Sequence, residues 1–223
     1  MNKLILRHFA DVPVVEGIKF KDVSFALNGN LMLLFQAAES LFNPKDGPVD
    51  PHEVFPFRIE FLNQDGTSIA AVSGAAPRLF QVQELPDQDL LFYGMERTRT
   101  GTNTYIMNSS GTFTRDLALD RPINQMNTLP NGSFWVAYAD QAIFGSGVGK
   151  GGLVKFNADG FVEWSFNSSR KNYDLGLISD CEAMNVVSES DIWFWYYTDH
   201  HLVHLRNETL VGVWRDLDEI SGL

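Results

Sequence analysis

Short apolar runs, some strictly alternating and some continuous, succeed one another along this chain, separated by Asn-Gly, Asp-Gly or Ser-Gly punctuation. Such runs read as β-strands, and the punctuation supplies the positive φ angles that tight hairpin turns need. The most legible stretch is Leu129-Pro-Asn-Gly-Ser-Phe-Trp-Val-Ala-Tyr138, followed by Gly152-Leu-Val-Lys-Phe-Asn-Ala-Asp-Gly-Phe-Val-Glu-Trp164. It predicts a strand, a tight turn, a strongly apolar strand, a loop, a third strand, a second tight turn and an outer strand.

The same unit can be written four times, over residues of about 18–72, 78–117, 123–166 and 180–214. In the second copy, Pro86-Asp-Gln88 replaces the first glycine turn, and in the fourth both turns have lost their glycines. The second-turn glycines Gly66, Gly111 and Gly160 keep step, 45 and 49 residues apart. Four-stranded units at that period predict an all-β fold, a β-propeller of about four antiparallel blades in one domain, in preference to a β-sandwich. Little helix is expected beyond a short turn near residues 37–41. Segments 42–54, 139–150 and 167–177 read as loops inserted between strands, where binding usually resides. The strand-like segment 3–9 is expected to close the ring by pairing with the last blade. If the ring stays open, its free edges favour a homodimer.

Of 223 residues, 44% are hydrophobic and 13% aromatic, enough for a sizeable core. A formal charge of −11 disfavours nucleic acid as a partner. No apolar stretch is long enough to span a membrane, and the first residues lack a signal-peptide pattern, so a cytoplasmic location is expected. Cys181 is the single cysteine, which forbids an intramolecular disulfide. Four Asn-X-Ser/Thr triplets, at Asn108, Asn131, Asn167 and Asn207, are read as turn chemistry and not as glycan sites.

Candidate chemistry concentrates where the inner strands of the third and fourth blades begin. Alternation places Asp180 and Glu182 on one face of the entering strand, with Asn185 beyond and Asn124, Asn127 and Asp140 in the third blade. Carboxylate and amide oxygens suit a hard divalent cation, calcium or magnesium, with Asp180, Glu182 and Asn185 as candidate ligands. The competing expectation is that these groups bind water and backbone in a solvated channel.

Other groups read as structural. Cys181 between two carboxylates is expected to be buried and inert. His201 and His204 of the His200/His201/His204 cluster point to opposite strand faces, against a zinc site. The glycine-rich stretch 145–152 leads into a strand and not a helix, so it is no phosphate loop, but a mobile loop on a blade rim. Trp193-Phe-Trp-Tyr-Tyr197, Trp135, Trp164 and Trp214 are expected to pack between blades.

The run Met126 to Gly145, with Gly151 to Phe156, Asp180 to Val186 and Ile192 to Asp199, resembles a group of uncharacterised bacterial propeller-like proteins. More distantly, the Asp-Gly-punctuated blades resemble propellers of the NHL and SMP-30/gluconolactonase type. The closer resemblance implies no activity, whereas the distant one implies oxygen ligands around a divalent metal. Three function classes follow: a non-enzymatic binding module for another protein, a metal-assisted, lactonase-like hydrolase, and a module for small ligands or carbohydrate.

Overall fold

The computed structural model describes residues 17–37, 53–94 and 101–215. Within them the chain forms four antiparallel sheets, each of four strands joined in simple meander order. The first holds β1 Lys19–Phe25, β2 Leu31–Gln36, β3 Phe55–Leu62 and β4 Ser68–Ala76. In the second lie β5 Leu79–Glu84, β6 Leu90–Gly94, β7 Thr104–Met107 and β8 Phe113–Leu117. The third contains β9 Ile123–Thr128, β10 Phe134–Tyr138, β11 Leu153–Phe156 and β12 Val162–Ser165. β13 Asp180–Ser188, β14 Asp191–Tyr197, β15 His201–Arg206 and β16 Thr209–Trp214 make the fourth.

This is the all-β, propeller-like architecture that the repeat predicts. The first strands carry the contact between successive sheets: β1 lies against β5, β5 against β9, and β9 against β13. Among the described residues, no strand of the fourth sheet packs on the first in this way. The proposed closing strand, residues 3–9, and the suggested helix turn near residues 37–41 fall outside the described residues or at their margin, as does most of loop 42–54.

The turns follow the sequence signals. Gly66, Gly111 and Gly160 have φ of 86°, 83° and 82°, and in each turn an asparagine side chain (Asn63, Asn108 or Asn157) accepts a backbone N–H four residues on. Where glycine is missing, Asp87 and Gln88 (φ 62° each) and Asn207 and Glu208 (φ 48° and 57°) take the left-handed conformation themselves.

Apolar cores fill the spaces between sheets. Met32, Leu34, Phe57 and Ile59 of the first sheet meet Val82, Phe92 and Tyr105 of the second. A larger core runs through the second, third and fourth, where Phe166, fully buried, touches the rings of Tyr173, Phe194 and Tyr196.

Two segments read as loops are folded onto the sheets. Segment 139–150 contains helix α1, Asp140–Ile143, and leads into a 3-10 turn, Val148–Gly151; helix α2, Phe166–Ser169, continues into a second 3-10 turn, Arg170–Asn172. The glycine-rich stretch is therefore a packed element over its second half, while residues 145–148 are exposed. Gly149 rests on Ala142, where a Cβ would come within 2.7 Å of that methyl, and Gly152 (φ 71°) faces Ile178, where a Cβ would meet Ile178 Cβ at 2.8 Å. Close approach to these neighbours explains the glycines. No helix among the described residues is long and apolar enough to cross a membrane.

Candidate functional site at the loop end of the sheets

The turns joining the first to the second and the third to the fourth strand of each sheet lie at one end. The longer connections emerge at the other, where the inner strands begin, together with the short hairpin turn of the fourth sheet at residues 198–200. Near its start every inner strand carries a β-bulge: register slips at Lys21, Phe80, Asn124 and Glu182. A bulge leaves one residue unpaired and redirects it. It also interrupts alternation, so the sequence inference that Asp180 and Glu182 share a face by period two does not carry across Glu182.

The residue after each bulge holds the next sheet. Asp22 Oδ2 accepts the N–H of Val82 at 3.0 Å, Gln81 Oε1 that of Met126 at 3.1 Å, and Gln125 Oε1 that of Met184 at 2.9 Å. In the fourth sheet the same position is Ala183, which has no acceptor. This three-fold clasp escaped the sequence reading, although residues 22, 81 and 125 hold the same place in each unit.

A second set of buried amides pins the crossings between sheets. Gln36 accepts the N–H of Leu79 and donates to Pro77 O, Asn103 accepts that of Leu119, and Asn167 accepts that of Ile178. Asn167 is thus consumed by the fold, in keeping with its reading as no glycan site.

Of the predicted site residues, the structure brings three together. Asn124 Nδ2 donates to Asp180 Oδ1 at 2.7 Å and to Cys181 O at 3.1 Å. The Asp180 carboxyl is raised above its ordinary range, first by burial and further by the Asp140 charge, against the opposing hydrogen bonds of Asn124 and the Asp140 backbone N–H. Glu182 is exposed at its bulge. Asn127, which accepts from Gln125 Nε2 at 3.3 Å, lies between the third and fourth sheets, whereas Asn185 shares a row with Trp193 on the far side of the fourth. Among the described residues, no group of three or more His, Cys, Asp or Glu side chains is placed to hold a metal ion.

Cys181 is fully buried, and burial together with Asp180 and Glu182 pushes its thiol pKa far up. His201 pairs with Tyr196 on the core side, while His204 stacks on Trp193 at 4.0 Å on the other face and meets Asp191 at 2.8 Å. The two histidines thus do point apart.

Beside the Asn124–Asp180 pair, between the second and third sheets, lies an open cleft of about 500 Å³ lined by Phe80, Tyr93, Gly94, Arg121, Pro122 and Gln141. Phe80 is the bulge residue of its sheet, 42% exposed, with its ring centroid 5.3 Å from that of Tyr93. The Tyr93 hydroxyl is fixed by accepting the N–H of Ile123 at 3.2 Å, and burial raises its pKa. A tighter recess of about 240 Å³ at the turn end, between Asn28, Phe61, Leu90 and Met107, includes Glu84, whose carboxylate already accepts the N–H of Leu27 at 2.6 Å. The loop-end cleft therefore offers more unused surface.

No protein-family model matches the sequence, and no curated protein matches it. Solved structures do share the fold. A protein of unknown function from Bacteroides caccae superposes with a TM-score of 0.61 at 13% identity, over 92% of this chain and 70% of that one. A puromycin hydrolase S511A mutant, complexed with PGG, gives 0.51 at 14% identity over 90% and 30%. Streptogramin B lyase gives 0.49 at 13% identity over 93% and 58%, so this chain spans only part of each of these structures. These neighbours are propeller-type proteins, and at such identities the likeness concerns fold alone.

Proposed function

We propose that this chain is a non-enzymatic binding module of propeller type, taking its ligand in the loop-end cleft between the second and third sheets. The observation that carries this reading is Phe80. The equivalent bulge positions are polar in the other sheets, Lys21, Asn124 and Glu182, yet here an aromatic ring stands 42% exposed on Tyr93 at the mouth of a cleft. An exposed ring backed by a second ring, with Arg121 and Gln141 nearby, suits a ligand group that is flat and apolar with hydrogen-bonding arms. Such a group can belong to a small molecule or to a side chain of a partner protein. The state of the chemically interesting groups favours binding over catalysis: the thiol of Cys181 is buried, and the Asp180 carboxylate is occupied by Asn124 and a backbone N–H.

A thermal-shift screen with cyclic and aromatic acids, oligosaccharides and short peptides tests the reading. We expect hits whose affinity falls about tenfold or more in Phe80→Ala, the loss of one well-packed aromatic anchor. Hits unaffected by both Phe80→Ala and Gln141→Ala would place the ligand elsewhere. Calcium and magnesium belong in the same screen, because a cation-dependent shift abolished by Asp180→Asn would favour the metal-assisted alternative.

A further inference from the structure

We infer that the first and fourth sheets are the two halves of a contact between copies of this chain, and that two copies join head to tail into one ring of eight sheets. The occupant of each free sheet face is read from the repeat. Three positions on each inner strand, one before, two after and four after the bulge residue, face the preceding sheet. In the second sheet these are Leu79, Val82 and Glu84; in the third Ile123, Met126 and Thr128; in the fourth Cys181, Met184 and Val186. The first two of each set are at most 6% exposed, because the preceding sheet covers them.

In the first sheet the same three positions are Phe20, Val23 and Phe25, all apolar, and they are 45%, 52% and 69% exposed. The surface is built like the covered ones, and among the described residues no sheet packs on it. At the other end of the arc, the fourth sheet turns Trp193, Trp195, Leu202 and Trp214 toward the side where the other sheets meet a successor. Trp193 and Trp214 stack there at 5.0 Å, and Trp214 is 44% exposed. Aromatic residues of this kind are enriched at protein–protein contacts.

Charge complementarity selects a second copy of this chain. The bulge residue of one sheet reaches the residue two before the bulge in the next: Phe80 lines the cleft with Pro122, and Asn124 bonds Asp180. Within the first pair the corresponding residues are Lys21 and Arg78, whose like charges help to lower the Lys21 pKa after the larger effect of burial. Continued once more, the rule sets Glu182 of the fourth sheet against Lys19 of a following first sheet, an attractive pair of exposed residues. Each copy would give its fourth sheet to the other's first sheet, a heterologous contact that closes after two copies. Eight sheets fall within the range of closed propellers, whereas three copies would give twelve. Ala183, where the clasp residue stands in the other sheets, leaves this contact without its backbone hydrogen bond, so it is weaker than the internal ones and reversible.

Mass measurement by light scattering and sedimentation on the whole chain, with charge-reversed variants, tests the inference. Wild type is expected to be a dimer at tens of micromolar. Glu182→Lys alone and Lys19→Glu alone should each raise the dissociation constant about tenfold or more through like-charge contact, with unchanged circular dichroism. Both substitutions in one chain should restore wild-type affinity to within about threefold. Mixing the two single variants should also restore a dimer, since in a head-to-tail ring one contact is then native and the other fully reversed. A wild-type monomer at 50 μM (on the order of a weak contact's reach), an assembly of three or more copies, or failure of the mixture to associate would overturn it.

Discussion

Asn167→Ala is expected to lower the unfolding free energy by about 3–5 kcal/mol, since it orphans buried backbone groups at about 1–3 kcal/mol each. One amide fixes the crossing from the third sheet to the fourth: Nδ2 donates to Lys150 O at 2.8 Å and to Ile178 O at 3.2 Å, while Oδ1 accepts the N–H of Ile178 at 2.9 Å. The residue is only 7% exposed, so water cannot replace these partners without opening the junction. Asn167→Asp separates the two halves of the argument, because a carboxylate can still accept from Ile178 N–H but can donate to neither carbonyl. It should be destabilised nearly as much as alanine at neutral pH and recover in part as the pH falls and the carboxyl protonates. Urea unfolding followed by tryptophan fluorescence reads both variants, and a loss below about 1 kcal/mol, the net worth of an ordinary hydrogen bond, would show that the amide is dispensable.

The sequence made the turns visible and hid the contacts between sheets. Gly66, Gly111 and Gly160 stand out because a left-handed turn position selects for glycine, and their spacing alone counted three units. The bulge positions did not stand out, since Lys21, Phe80, Asn124 and Glu182 share no chemistry; what they share is an unpaired place in a ladder. That omission propagated to the candidate site. Period-two reasoning placed Asp180 and Glu182 on one face, whereas Glu182 is itself the bulge residue that resets the alternation, and Asn185, grouped with them, stands on the far side of the sheet from Asn127.

Nearness across sheets was legible where it depended on position in the unit. Asn124 and Asp180 were both placed at inner-strand starts, and they hydrogen-bond. The cleft at Phe80 was missed because an isolated phenylalanine in a strand-like run reads as core. Its signal was present, however, in the polar character of the equivalent residues once the units are aligned on the clasp residues Asp22, Gln81 and Gln125. Helices α1 and α2 were read as loops for a related reason: four residues each are too few to display a helical period.

The clasp series also contains one titratable member, and Asp22→Asn is expected to stabilise the protein at pH 7.5 by about 1–2 kcal/mol while leaving it unchanged near pH 4. Burial pushes the Asp22 carboxyl up to about 6, against the opposing hydrogen bonds of the Val82 and Val23 N–H groups. A carboxyl moved that far from its ordinary 3.8 corresponds to about 3 kcal/mol between its protonation states, and its half-buried setting reduces the figure. The folded chain holds this proton more tightly than the unfolded one. The stability it confers is therefore complete in acid, below the unfolded value, and is lost as the pH rises through about 6. Asparagine keeps an oxygen for the Val82 N–H at the 3.0 Å contact and cannot ionise, as Gln81 and Gln125 cannot in the equivalent clasps. The difference in urea midpoint between variant and wild type should grow from about pH 4 to about pH 7.5, with its steepest part midway between the unfolded value of 3.8 and the folded value of about 6. A variant less stable than wild type at pH 7.5 would mean that the ionised carboxylate strengthens the hold on Val82 by more than its burial costs.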